Sequence, residues 1–199
     1  MPVLEHLGQK IFLVSLTFLF GTFLFSYFTK LKCNSVHGNL FKFNVTGVSG
    51  KVVSLEKYKN LVTIIVNVAS DWQYTDLNYK QFEYLLKKYH HLGLRILAFP
   101  CNQFGQQETS EISTIFAFVK QKAPMIEIFD KCNVVGENQI PLFNFLSHHP
   151  NTCSLLYSSP NWNFVKYLVD KKGVPFKRYH CSTPPVDLEP DILKLLKIN

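Results

Sequence analysis

The stretch that most constrains this chain is Leu61–Val68, LVTIIVNV, which runs into the polar turn Ala69–Tyr74 and then into a helix start. The run is uncharged, short and rich in β-branched residues, so it reads as a strand buried on both faces, as parallel strands are. Tyr79, Phe82, Leu85, Leu86 and Tyr89 then recur at helical spacing, which predicts a helix from about Thr75 or Asp76 to His91. A side chain in the intervening turn is aimed at a helix N-terminus. Unpaired N–H groups and positive potential gather there and favour an anion such as a thiolate or selenolate. The residue in that place is Trp72, which can be neither.

The rest of the chain builds on this strand. Gly93 ends the helical pattern, and Leu94–Phe99 reads as a second buried strand, giving a right-handed βαβ unit with a parallel pair. A helix is predicted from about Ser110 to Lys120, with Ile112, Ile115, Phe116 and Val119 on one face, and a shorter one over Pro141–His148. Two hairpins are expected: Phe41–Val45 with Lys51–Ser54 around Gly47–Gly50, and Phe164–Val169 with Val174–Tyr179 around Asp170–Gly173. Asp191–Ile198, led by Pro190, closes the chain as a helix. The fold class is therefore α/β, with a mixed central sheet flanked by helices, and no internal repeat is visible.

Ile11–Phe28 carries no charge and is bracketed by Lys10 and by Lys30 and Lys32. As a helix it would be about 27 Å long against a hydrocarbon core of roughly 30 Å, so it reads as a transmembrane signal-anchor. A cleaved signal peptide competes, but the run exceeds the usual apolar core and no small-x-small site follows. The organisation expected is a tail over 1–10, the anchor over 11–28, a linker over 29–38 and one domain over 39–199. The single lysine before the span and two after it weakly favour a cytosolic domain by the positive-inside count. The net charge of +7 is scattered in ones and twos with no aromatic-interleaved stripe, which argues against a nucleic-acid partner, and a monomer is expected.

The 5 cysteines, Cys33, Cys101, Cys132, Cys153 and Cys181, show neither CxxC nor paired zinc-ligand spacing, and an odd number leaves at least one thiol free or paired outside the chain. The adjacent pairs His90-His91 and His148-His149 would diverge around a helix, so no metal and no bound cofactor is expected. Asn44-Val45-Thr46 is a glycosylation sequon, informative only on the luminal side of a membrane.

Three blocks then converge: Asn67-Val68-Ala69-Ser70, LAFPCNQFG over Leu97–Gly105, and Trp162-Asn163-Phe164 with Lys166–Val169. Together they resemble the signature blocks of the glutathione peroxidases, and the resemblance covers about Phe41 to Leu196. It implies a thioredoxin-like fold and an oxidoreductase that reduces hydrogen peroxide or hydroperoxides. The reductant it implies is glutathione or a protein dithiol such as protein disulfide isomerase. The apolar N-terminal run, SLEKYK at Ser54–Lys59 and the residues Ser70–Tyr79 are most similar to the members anchored in the endoplasmic reticulum membrane, which implies a single-pass protein with a luminal domain. Matched block to block, the family's peroxidatic Cys or selenocysteine falls on Trp72, and Gln103, Trp162 and Asn163 take the roles of its partners. Cys101 is a candidate second redox thiol, and Cys132 and Cys153 have no implied role.

Three readings of Trp72 stay open. A Trp codon differs by one base from the selenocysteine codon and from both Cys codons, so the residue can stand for either. A genuine tryptophan would make the chain a redox-inactive, membrane-anchored binding protein on the same scaffold. In the third reading, Cys101 supplies the sulfur.

Overall fold

The computed structural model describes residues 20–24, 36–153 and 160–197. A small hairpin of β1 (Asn44–Thr46) and β2 (Val52–Ser54) leads into the main sheet. That sheet is built from β3 (Val62–Val68), β4 (Leu94–Pro100), β5 (Glu127–Ile128), β6 (Lys166–Val169) and β7 (Pro175–Tyr179), in the order β5-β4-β3-β6-β7. Strands β3, β4 and β5 are mutually parallel, whereas β6 pairs antiparallel with both β3 and β7, so the sheet is mixed as expected. Four helices flank it among the described residues: α1 (Thr75–Tyr89), α2 (Ile112–Lys122), α3 (Pro141–His148) and α4 (Glu189–Leu196).

The period of two along each strand divides the interior into two cores. From β3 and β4, Ile64, Val66 and Ile96 pack with Tyr79, Phe82, Leu86, Val119 and Ile192 of α1, α2 and α4. Their neighbours Ile65, Leu97 and Phe99 pack on the other face with Tyr58, Phe143 and Phe145, beneath α3 and the hairpin. Every residue of β3 is therefore buried, which explains its unbroken apolar run. Asp76 in the first turn of α1 and Lys87 and Lys88 in its last complement the helix dipole, and Gly93 closes the connection to β4 at φ 106°.

The structure trims several sequence expectations. Helix α2 begins at Ile112, and its buried stripe is Ile115 and Val119, while Phe116 is exposed with the Lys120 ammonium 5.7 Å from its ring centroid. Phe118 instead meets Tyr79 edge-on, with centroids 6.0 Å apart. Strand β6 starts at Lys166 because Phe164 sits at φ 58°, in the left-handed region where a strand cannot run. Helix α4 begins at Glu189 and ends at Leu196, where Lys197 turns left-handed at φ 62°. Strand β5 was not foreseen, since two residues are too few to show an alternation. The predicted span Ile11–Phe28 lies outside the described residues except for the helical residues 20–24, and among the described residues no helix is long and apolar enough to cross a membrane.

Candidate active site

Strands β3 and β4 end side by side, with Val68 opposite Pro100, and each releases a loop at the same edge of the sheet. The loop from β3 is the turn Ala69–Tyr74. The Trp72 N–H donates to Thr75 Oγ1 (3.2 Å), the Thr75 hydroxyl donates to the Ala69 carbonyl (2.8 Å), and the Thr75 N–H donates to the Trp72 carbonyl (2.9 Å). Tyr74, at the N-cap of α1, makes no side-chain cap, so the positive end of the helix is left to whatever occupies the turn. The indole of Trp72 stacks on the Phe164 ring, with centroids 5.4 Å apart at 22°, and meets Tyr74 edge-on at 5.1 Å.

The loop from β4 wraps around this turn. Gly105 and Gln106, at φ 67° and 52°, reverse the chain and bring Gln107 back towards β3. The Gln107 carbonyl accepts from the Asp71 N–H (3.1 Å), and its Oε1 accepts from Asn163 Nδ2 (2.8 Å). Asn163 is fully buried and also donates to the Phe104 carbonyl (3.3 Å). A Cβ at Gly105 would lie 3.4 Å from Gln107 Cδ, so glycine here leaves the glutamine room as well as supplying the turn.

Two buried residues fasten the arrangement. Asn67 donates from Nδ2 to the Trp162 carbonyl (2.9 Å) and accepts at Oδ1 from the Val165 N–H (3.1 Å), so β3 grips both sides of Trp162–Phe164. Glu108, only 1% exposed, accepts from the Ser70 N–H at 2.6 Å, and its own N–H donates to Asn102 Oδ1 at 2.9 Å. Burial raises the Glu108 carboxyl, opposed by its bonds to Ser70 and by the Lys131 ammonium.

Of the residues expected from the sequence, Trp72 and Asn163 meet at this junction, through Phe164 on one side and the Asp71–Gln107 link on the other. Trp162 lies at its rim, 38% exposed, with its ring 6.2 Å from that of Phe104. Gln103 does not join them. Its Oε1 accepts from the N–H groups of Val134 (2.8 Å) and Val135 (3.1 Å), and its Nε2 donates to the Val135 carbonyl (2.9 Å). That amide is committed to holding the segment after β5, and the glutamine that reaches Asn163 is Gln107. The signal was present in the run Gln106-Gln107-Glu108, but only the reversal at Gly105 and Gln106 decides which glutamine returns. Glu108 was missed as well, because nothing in its local sequence marks a carboxylate as buried. Cys101 is fully buried, and burial pushes its thiol up, so it is a poor attacker where it stands.

A family model described as glutathione peroxidase matches residues 40–147. A glutathione peroxidase of Schistosoma mansoni is 42% identical over 160 residues, covering 80% of this chain and 94% of that one. Glutathione peroxidase 1 of Caenorhabditis elegans is 43% identical over 159 residues, covering 79% and 96%. Among solved structures, that of T. cruzi GPX1 superposes with a TM-score of 0.67 at 31% identity, covering 80% of this chain and 97% of that chain. A thioredoxin-family thiol:disulfide interchange protein from Chlorobium tepidum, 12% identical with a TM-score of 0.59 and covering 79% and 95%, shares the fold alone. The architecture is thus thioredoxin-like.

Proposed function

The chain belongs to the glutathione peroxidase family of oxidoreductases, and from that premise we propose that the junction of Trp72, Gln107, Trp162 and Asn163 is a peroxide-reduction site whose attacking atom has to stand at position 72. The observation that carries this reading is the Asn163–Gln107 hydrogen bond of 2.8 Å, tied through Asp71 to the uncapped start of α1. Two amides and an indole around a helix N-terminus are the groups needed to hold a chalcogen anion and to polarise a peroxide.

With a thiolate or selenolate at position 72, the anion attacks one peroxide oxygen and the O–O bond breaks. The other oxygen leaves as alkoxide and takes a proton, and a sulfenic or selenenic acid remains. Two thiols of glutathione, or of a protein dithiol such as protein disulfide isomerase, then release water and leave as a disulfide. Indole has neither the nucleophilic lone pair nor the reversible oxidation state for the first step. The chain with tryptophan at position 72 therefore holds the peroxide cradle without the attacker, and turnover stays near background. Peroxide turnover by the Trp72→Cys variant tests this, and a folded variant that remains at background would refute it.

The second reading, a redox-inactive binding protein on the same scaffold, is favoured by the packing of Trp72 itself, whose partly buried ring stacks on Phe164 against the core. The mass of the peptide containing residue 72 from the natural protein separates the two, since selenocysteine or cysteine there would remove the second.

We assign the protein to the endoplasmic reticulum membrane, anchored once by Ile11–Phe28 with its domain in the lumen. The support is the length of the apolar run and the disulfide at Cys153, which suits an oxidising compartment. Protection of the domain from protease in sealed microsomes is the expected result, and digestion there would place it in the cytosol.

A further inference from the structure

Two thiols that the proposed peroxide site does not use lie together on the other core. Strand β4 runs parallel to the chain that leaves β5, with Ala98 opposite Ile128. The contact continues past β5: the Phe129 N–H donates to the Ala98 carbonyl and the Cys132 N–H to the Pro100 carbonyl, each at 3.0 Å. Chains joined in this way run roughly 4.8 Å apart, so Cys132, whose N–H makes that last link, and Cys101, one residue past its acceptor, fall within the span of about 4.4–6.8 Å between Cα atoms that a disulfide bridges. Both side chains point to the same face: Cys101 continues the series Leu97 and Phe99 in the core beneath α3, and Cys132 packs against that core. Both thiols are free. Burial raises the Cys132 thiol most, and the charge of an ionised Cys101 and of Asp130 would raise it further.

The geometry points to Cys101 and Cys132 as a redox-active dithiol that closes to a disulfide on oxidation by a small peroxide. Access comes through Cys132, which lines a cleft of about 230 Å³ with Asn44, Thr46, Asp130, Asn133 and Pro141. The Cys132 thiolate attacks a peroxide oxygen, the O–O bond breaks, and the leaving alkoxide takes up a proton as Cys132 becomes a sulfenic acid. Cys101 then attacks that sulfur. The S–S bond forms, the S–O bond breaks, and hydroxide leaves with the Cys101 proton as water. Two thiols and one peroxide thus give one disulfide, one alcohol or water, and one further water.

Burial makes the step slow, and raising the pH speeds it by enlarging the thiolate fraction. The bond would tie the start of the Asn102–Glu108 loop covalently to the Asp130–Val135 segment, to which Gln103 already holds it through Val134 and Val135. The inference does not depend on any chemistry at position 72.

The test is made on the full chain in detergent, with Trp72 in place. The protein is reduced, freed of reductant, exposed to hydrogen peroxide at pH 7 and pH 9, blocked with N-ethylmaleimide and peptide-mapped without reduction. The expected result is a peptide pair cross-linked through Cys101 and Cys132, with both of those thiols lost to alkylation, faster at pH 9. The pair should be absent from Cys132→Ala and retained in Cys181→Ala. Full alkylation of both residues after peroxide, oxidation of Cys132 to sulfinic acid without the cross-link, or a cross-link from Cys101 to any other cysteine would overturn the assignment. Mapping the unmutated chain keeps the answer independent of whether any variant folds.

Discussion

Strands β3 and β4 leave the same edge of one sheet, yet they deliver their next residues to opposite fates. Strand β3 brings Trp72 to the uncapped start of α1, beside Gln107 and Asn163, in the place where an anion would be favoured. Strand β4 brings a sulfur, but Cys101 is folded into the core, where burial raises its thiol and holds it back from attack. One position has the surroundings without the atom, and the other has the atom without the surroundings. Fast peroxide turnover requires both, because the helix N-terminus and the amides act on an anion that has to be present for them to stabilise.

The largest effect should come from putting the atom in the favoured place. Trp72→Cys is expected to raise hydrogen peroxide turnover by about 100-fold or more over the unmutated chain, in line with the contribution of preorganised donors to a developing anion. Cys101→Ser in the unmutated chain should change turnover little. Steady-state consumption with glutathione as reductant measures both, and a large loss from Cys101→Ser would reverse the comparison.

Next in size is the burial of Lys166, which serves the antiparallel half of the same sheet. It is fully buried on β6 and donates to the carbonyls of Thr183 (2.8 Å) and Cys181 (3.2 Å). Burial brings its ammonium down to about 7, with Cys181 opposing. The folded state therefore binds fewer protons than the unfolded chain between pH 7 and the ordinary lysine range, so stability rises with pH across that window. Lys166→Met should gain roughly 2–4 kcal/mol near pH 7 from the lost desolvation cost, less what the two carbonyls lose, and should flatten the rise. Urea midpoints at several pH values read this directly.

Asn67→Ala removes the two bonds by which β3 grips Trp162–Phe164 and should cost about 3 kcal/mol by denaturant unfolding. In the Trp72→Cys background it should also lower turnover, since Asn163 would lose its fixed position. Stability loss without any change in that turnover would detach the Trp162 block from the site.

The smallest effect is at Glu108. Because burial raises its carboxyl, the folded state binds more protons there than the unfolded chain, and stability falls as pH rises from the ordinary carboxylate range. Glu108→Gln keeps an acceptor for the Ser70 N–H and should weaken that fall, seen as a flatter dependence of Tm on pH.

Much of this architecture was legible in the sequence because its signals are local and strong. The uncharged run of β3, the helical spacing from Tyr79 to Tyr89 and the Asp170–Gly173 turn each specify their element without help from distant residues. The errors arise where tertiary geometry decides. Phe116 and Phe118 are equally apolar, and only the position of α1 brings Phe118 against Tyr79 and leaves Phe116 exposed. Gln103 and Gln107 sit in one short loop, and the left-handed turn at Gly105 and Gln106 sends them to different partners. The approach of Cys132 to the end of β4 beside Cys101 joins two distant segments and leaves no local trace. Matching blocks pointed to residues that the fold does bring together, Trp72 and Asn163 at the junction and Trp162 at its rim, whereas Gln107 and the buried Glu108 left no such signal.

The central claim is that the surroundings of position 72, with Gln107 among them, are intact. Its most direct test is peroxide turnover in the Trp72→Cys background with either Gln107→Ala or Gln103→Ala added, each checked for folding by circular dichroism. The account predicts that Gln107→Ala lowers kcat/KM by about 10-fold or more, while Gln103→Ala leaves it within about 2-fold and costs only stability. A loss confined to Gln103→Ala would contradict it.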